Sequence, residues 1–149
     1  MLKAIGAAVV SYVAIFLIVF VSFSIVWMAM GTDGAFKTAT WNVSTGWVVA
    51  TLMVGIVAAL VGGYLCSMIG KSRTAVMILL GIVVVLGLVD AVATATRPDA
   101  GLEVVRMGDA SMFEAMGKAR QPGWLPFVNL AIGVGGVLIG SRLHGGSSS

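Results

Sequence analysis

The chain has 149 residues, of which 59% are hydrophobic and only 10% are charged, and its mean hydropathy is +1.07. Soluble domains carry about 25% charged residues, so this composition excludes a water-soluble globular fold and is typical of a polytopic membrane protein. The nine Lys and Arg residues are scattered along the chain and form no basic stripe, which argues against nucleic acid as a partner. With one cysteine, Cys66, and one histidine, His144, the sequence predicts no metal site and no cofactor.

The first transmembrane helix is predicted over residues 5–29. Residues 4–32 contain no formal charge, and this run exceeds the roughly 20 residues that cross a hydrocarbon core. The run is about twice as long as the apolar part of a signal peptide, so we expect it to be retained. Its aromatic residues recur at helical spacing, which favours packing or lipid contact over a groove for a quinone, pigment or lipid. These residues are Tyr12, Phe16, Phe20, Phe23 and Trp27.

The second helix is predicted over residues 45–69 and carries a small residue at every fourth position. This spacing keeps the small residues on one face for more than four turns. Such a face lets another helix backbone approach closely, which is a main source of helix association in lipid. The residues are Thr51, Gly55, Ala59, Gly63 and Ser67.

The third helix is predicted over residues 74–96 and contains an acidic residue, Asp90. Asp90 lies seven residues before Arg97, or about 10 Å inside the end of the helix at 1.5 Å per residue. Thr94 and Arg97 follow it on the same face, at i+4 and i+7. A charge at this depth is disfavoured unless it faces protein, water or a cation.

A short helix is predicted over residues 111–120, in the loop before the fourth helix. Ser111 and Glu114 fit the S-x-x-E capping box, and Glu114 and Lys118 form an i,i+4 pair in the favourable order. In this loop, Arg97, Arg106, Lys118 and Arg120 balance Asp99, Glu103, Asp109 and Glu114. We expect a simple connector that shields the bundle, with a partner-binding surface as the alternative.

The fourth helix is predicted over residues 123–142, and its small residues resemble those of the second helix. Gly136 and Gly140 lie four residues apart, and an offset of 77 aligns them with Ala59 and Gly63. This offset indicates two helical hairpins of the same orientation, with the second and fourth helices in contact at the centre. The expected architecture is therefore a single all-α domain over residues 1–144, a four-helix bundle with a short outer amphipathic helix, followed by a flexible tail at 145–149.

The distribution of charge predicts the orientation of the helices. Lys3, Lys71, Arg73 and Arg142 lie at one end of the predicted bundle without acidic neighbours, which places this end and both termini in the cytoplasm by the positive-inside rule. The four tryptophans lie near the opposite end, as half of an aromatic belt would. Size and composition favour the bacterial inner membrane.

Polar residues at a similar depth in three helices suggest a functional site. Asp90, Asn129 and Thr51 each lie about six or seven residues from the outer end of a helix, with Thr94 and Arg97 nearby. One hypothesis is an outward-facing pocket in which the Asp90 carboxylate binds a cation or a proton. The other is that Asp90 only fixes helix register, by a hydrogen bond to Thr94 or Asn129 or by pairing with Arg97 through interfacial water.

No combination of residues in the sequence supports catalysis, so we expect no catalytic residues and no enzymatic activity. A methionine-based copper site is a weaker alternative, because no Cys or His accompanies the outer methionines. The favoured function is a non-enzymatic accessory subunit or oligomeric helix-packing module, and the alternative is a small cation- or proton-coupled transporter or channel. The expected partners are the lipid bilayer and either identical copies or a heterologous membrane protein.

Overall fold

The computed structural model describes residues 1–38, 40–97, 108–109 and 111–145. These residues form five helices, and the predicted all-α fold is confirmed. Four of the helices are long and apolar enough to cross a membrane, which is compatible with a multi-pass membrane protein. The helices are α1 (Leu2–Ala35), α2 (Thr45–Gly70), α3 (Arg73–Ala95), α4 (Met112–Lys118) and α5 (Leu125–Gly145).

The helix bounds lie within three residues of the sequence prediction except at the end of α1. α1 continues to Ala35 across a break at Gly31, where φ is +62° and ψ is −175°. Glycine adopts this left-handed conformation without the steric cost that a side chain would add, so the predicted end at residue 29 lies just before the break. α5 continues through Gly145, which was predicted to begin the flexible tail; residues 146–149 lie outside the described residues.

Serine caps define where the next two long helices begin. The Ser44 hydroxyl accepts a hydrogen bond from the Trp47 amide (3.1 Å) and donates one to the Gly34 carbonyl (2.5 Å). It therefore caps α2 and also ties it to the end of α1. The Ser72 hydroxyl caps α3 by accepting from the Ala75 amide (3.3 Å).

α2 and α5 pack closely through their small residues, along what we call the α2–α5 interface. A Cβ atom added to Gly63 would overlap the backbone of Val137, and one added to Gly140 would overlap the backbone of Leu60. At Gly136, an added Cβ would lie 2.5 Å from the Ala59 Cβ. Only glycine permits this backbone approach, because any side chain would separate the two helices.

The contacts across the α2–α5 interface are related by the same offset of 77 that aligns the two sequences. The equivalent of Gly63 in α5 is Gly140, and the equivalent of Val137 in α2 is Leu60. Gly63 contacts Val137, and in the same way Gly140 contacts Leu60. Gly55 is equivalent to Ile132, and these two residues also face each other, because a Cβ added to Gly55 would lie 3.8 Å from the Ile132 side chain. These parallel helices are therefore related by a local two-fold axis that runs along them. Ser67 lies beyond the closest contacts, half-buried, with its hydroxyl donating to the Tyr64 carbonyl (2.9 Å).

The other helix contacts complete a four-sided bundle, in which α1 and α5 each pack against both α2 and α3. At the end that carries Lys3, Lys71 and Arg73, which we call the basic end, the core is built from small side chains. Ala7 and Ala75 are almost fully buried there, beside Gly70.

The opposite end, which we call the loop end, has a second core made of larger residues. The segment between α1 and α2 is held to the segment before α5 by two backbone hydrogen bonds, from Val43 to the Arg120 carbonyl (3.1 Å) and from Arg120 to the Trp41 carbonyl (2.8 Å). α4 adds the buried Ala115 to this core. The predicted cap of α4 is present, because the Ser111 hydroxyl accepts from the Glu114 amide (3.3 Å).

Candidate functional site

A cavity of about 350 Å³ lies in the loop-end half of the bundle, and every helix contributes to its lining. Most of this lining is aromatic or aliphatic, and α1 supplies the largest share, so we call it the aromatic compartment. Its exposed members are Phe16 and Phe20 of α1, Asp90 of α3, Met116 of α4 and Gln121, so the compartment opens beside α1 toward α3 and α4. The lining residues are Phe16, Val19, Phe20, Phe23, Trp27, Phe36, Trp47, Thr51, Asp90, Met112, Ala115, Met116, Ala119, Gln121 and Asn129.

The inward residues of α1 differ in size between the two halves of the bundle. In the basic-end half, Ala7 of α1 and Ala75 of α3 are buried in a common core, so the two backbones lie close together. Four turns further along α1, the inward positions carry Phe23 and Trp27. The Phe23 ring stacks on the Trp47 ring of α2 with centroids 5.3 Å apart, and the Trp27 ring meets the same ring edge to face at 6.0 Å. Aromatic side chains of this volume therefore fill the space between α1 and α2 at this height, and their rings form one wall of the aromatic compartment.

Three polar side chains, each predicted from the sequence, meet in the aromatic compartment: Thr51, Asp90 and Asn129. The Thr51 hydroxyl donates to the Trp47 carbonyl of its own helix (2.9 Å). The Asn129 side-chain oxygen is buried and accepts no hydrogen bond from the described residues. A buried polar atom without a partner is costly, and in native proteins it commonly marks a place for water, an ion or a ligand.

A second cavity, of about 610 Å³, adjoins the first and contains the other predicted polar residues, Thr94 and Arg97. We call it the basic compartment, because Arg97, Lys118 and Arg120 all line it. Asp90 lines both cavities, as do Met116, Ala119 and Gln121, and we refer to the two compartments together as the cleft. The other residues around the basic compartment are Trp41, Asn42 and Gly117.

Hydrogen bonds and an ion pair position the basic side chains. The Arg97 guanidinium donates to the Ala119 carbonyl (3.2 Å), which joins the end of α3 to the end of α4. Lys118 pairs with Glu114 (2.7 Å), and its ammonium lies 5.1 Å from the centre of the Trp41 ring. The basic side chains are therefore arranged by the fold around the mouth of the cleft.

Asp90 is exposed to the cleft and takes part in none of the hydrogen bonds or ion pairs formed by the described residues. Among the described residues, Asp90 therefore makes no direct hydrogen bond to Thr94 or Asn129 and no direct ion pair with Arg97, and a pairing with Arg97 through water stays a prediction. Helix register at this height depends instead on packing, with Ala91 buried and Gly87 placed against Leu130.

Two features of the cleft were not assigned from the sequence. The aromatic residues of α1 were identified by their spacing, but packing or lipid contact was favoured; four of the five line the cleft, while Tyr12 packs on the basic-end core. Lys118, Arg120 and Gln121 enter the site because backbone hydrogen bonds hold their segment against Trp41 and Val43, and no local sequence signal indicates such pairing. The predicted loop charges at Asp99, Glu103 and Arg106 lie outside the described residues.

Within the described part of the chain, no group of three His, Cys, Asp or Glu side chains is placed to hold a metal ion. Of the methionines considered for copper, Met112 and Met116 line the aromatic compartment, Met28 is 84% exposed, and Met107 lies outside the described residues.

Neither a protein-family model nor a curated protein nor a solved structure matches this chain.

Proposed function

We propose that this chain is a small non-enzymatic integral membrane protein, an accessory module whose working part is the cleft. The proposal rests mainly on one observation: Thr51, Asp90 and Asn129, from three different helices, line a single cavity. Ligand sites are mostly apolar cavities of about 300–1,000 Å³ with a few polar groups that converge, and the cleft has this composition. The closely packed α2–α5 interface serves as the rigid support.

The orientation belongs to the same proposal. Lys3, Lys71, Arg73 and Arg142 occupy the basic end, so the positive-inside rule places this end and both termini in the cytoplasm. The cleft then opens on the outer side of the membrane, and a bacterial inner membrane accords with the size and composition of the chain.

A labelling experiment tests both the cleft and its orientation. In a Cys66→Ser background, Asp90→Cys and Ala91→Cys introduce one thiol each at almost the same depth. Asp90 is exposed in the cleft whereas Ala91 is 3% exposed. A membrane-impermeant maleimide added outside intact cells is expected to modify the Asp90→Cys variant and leave the Ala91→Cys variant unmodified.

Equal labelling of the two variants would contradict the cleft. Labelling of Asp90→Cys only after the reagent reaches the cytoplasmic side would contradict the orientation and leave the cleft in place.

A proton- or cation-coupled carrier is the second candidate, and the exposed, unpaired Asp90 carboxylate favours it. An ionisable residue at membrane depth is a recurrent element of proton and ion pathways. Against it, the basic-end half of the bundle is tightly packed around Gly63 and Gly70, where an added Cβ would overlap neighbouring atoms. We therefore place the accessory module first.

Reconstituted vesicles separate the two candidates. A carrier is expected to dissipate an imposed pH gradient in the wild-type protein and to lose this activity in Asp90→Asn. An accessory module is expected to leave the gradient intact, and native mass spectrometry of gently solubilised membranes is then expected to show a second copy or a heterologous membrane protein bound to it.

A further inference from the structure

The two compartments of the cleft have opposite chemical character and share a boundary. The aromatic compartment follows α1 from Phe16 to Trp27, which is eleven residues of helix or about 16 Å. The basic compartment lies where α3 and α4 end and carries three cationic side chains against one carboxylate in its lining. Because both cavities are lined by Asp90 and Gln121, a single molecule can occupy both.

This arrangement matches an amphiphile with an anionic head and a hydrocarbon chain. From the cleft geometry we propose that it binds an anionic phospholipid, with the phosphate between Arg97 and Arg120 and one acyl chain along the aromatic residues of α1. This inference rests on the proposed function, because it names the ligand of the same cleft. The opening beside α1 gives the acyl chain of the lipid a lateral route from the bilayer into the aromatic compartment.

The charges around the cleft favour an anion over a cation. Arg97 and Arg120 both line the basic compartment, and guanidinium groups bind phosphate oxygens through paired hydrogen bonds. Lys118 adds a third positive charge, partly neutralised by Glu114 at 2.7 Å. A cationic ligand would have to pass these three groups to reach Asp90.

Asp90 acts in the opposite direction from the arginines. Its carboxylate lies about 10 Å deeper than Arg97 along α3, on the boundary between the two compartments. A negative charge there repels a bound phosphate, so its removal strengthens binding of an anionic lipid. The two kinds of substitution therefore have effects of opposite sign, and a charge removed outside the cleft distinguishes the site from a nonspecific attraction between lipid and protein surface.

The experiment measures lipid preference in the full-length protein. Native mass spectrometry is performed after incubation with equal amounts of phosphatidylglycerol and phosphatidylcholine of identical acyl chains. Wild-type protein is expected to retain phosphatidylglycerol in preference to phosphatidylcholine. Each basic residue near a membrane surface contributes about fivefold to anionic lipid binding, so Arg97→Gln and Arg120→Gln are each expected to reduce the preference about fivefold.

Two further variants provide the controls. Asp90→Asn is expected to increase the preference severalfold. Arg73→Gln removes an exposed positive charge at the basic end, outside the cleft, and is expected to leave the preference unchanged. No preference in the wild type, or equal losses in Arg73→Gln and Arg97→Gln, would overturn the lipid proposal.

Two additional measurements locate the acyl chain and the head. Phosphatidylglycerol with brominated chains is expected to quench the fluorescence of Trp27 and Trp47, which line the aromatic compartment, more than brominated phosphatidylcholine does. Millimolar inorganic phosphate is expected not to displace the lipid. Displacement without quenching would show a site for free phosphate and overturn the lipid assignment.

This proposal and the proposed function fail on different results. If the Asp90→Cys variant is labelled but the protein shows no preference for phosphatidylglycerol, only the lipid proposal is contradicted. If the Asp90→Cys variant is labelled from neither side of the membrane, the cleft itself is contradicted.

Discussion

The α2–α5 interface and the cleft between α1 and α3 are built on the same bundle from opposite residue sizes. At the interface, Gly63 and Gly140 bring backbone against backbone, and no side chain larger than hydrogen fits. Across the bundle, Phe23 and Trp27 of α1 pack against Trp47 of α2, and together with Asp90 of α3 they line a cavity. The difference shows how a helical bundle with few polar residues can combine a closely packed interface with a cavity, since small residues line the first and aromatic residues the second.

The two regions also differ in symmetry. Contacts across the α2–α5 interface repeat under the offset of 77 residues. In the cleft, the aromatic face of α1 lies beside one acidic residue of α3, Asp90, and no such repeat relates the two. The symmetric contacts account for packing, and the asymmetric residues carry the candidate site. The following predictions separate these contributions.

The largest effect on stability is expected at the α2–α5 interface, from Gly140→Ala. The added methyl group would overlap the Leu60 carbonyl, so the helices must move apart at a cost of about 1–3 kcal/mol or more. The matched control is Gly135→Ala in the same helix, where an added Cβ meets no atom within 4 Å and helix propensity favours alanine by up to about 1 kcal/mol. Thermal unfolding in detergent checks the pair, and equal melting temperatures would contradict the close approach.

A smaller loss is expected from Ser44→Ala, at the junction that holds the loop end together. This change removes the α2 cap and the hydrogen bond to Gly34, and should cost about 1–2 kcal/mol. Ser72→Ala removes a cap alone and should cost less, about 1 kcal/mol. Equal losses in unfolding experiments would show that the bond to Gly34 adds no stability.

Asn129→Leu is expected to leave stability unchanged or to raise it slightly. The side-chain oxygen of Asn129 is buried without a partner among the described residues, so an apolar side chain of similar size removes a desolvation cost of about 1 kcal/mol or more. Thr51→Val serves as the control, because the Thr51 hydroxyl is already bonded to Trp47. A clear loss of stability in Asn129→Leu would show that Asn129 supports the fold and not the cleft.

The smallest effect is expected from Lys118→Met at the mouth of the cleft. The ion pair with Glu114 is 53% and 43% exposed, and such pairs contribute less than about 1 kcal/mol. Glu114→Gln removes the ion pair but keeps the ammonium near the Trp41 ring, so the difference between the variants measures the cation–π contact. Identical stability in both variants would show that this contact is negligible.

Much of the fold could be predicted because its signals are local. Uninterrupted apolar runs identified the four long helices, and Ser111 with Glu114 identified α4, since hydropathy and capping act within a few residues. The continuation of α1 from residue 29 to Ala35 was missed because Asp33 ends the uncharged run, so hydropathy alone predicts that the helix stops before it. Thr51, Asp90 and Asn129 were grouped by depth alone, an argument that works because transmembrane helices share one axis.

The sequence by itself determined the number of helices, the small-residue faces and the height of the polar residues, because each depends on composition or spacing along one helix. Only the tertiary structure decided that a cavity lies between the aromatic residues of α1 and Asp90 of α3. It also decided that Lys118 and Arg120 lie with Asp90 and Arg97 around one cleft. Those relations depend on side-chain volume and on hydrogen bonds between distant segments, such as Arg120 with Trp41. Contacts of this kind form only when the helices pack, so no pattern along the chain records them.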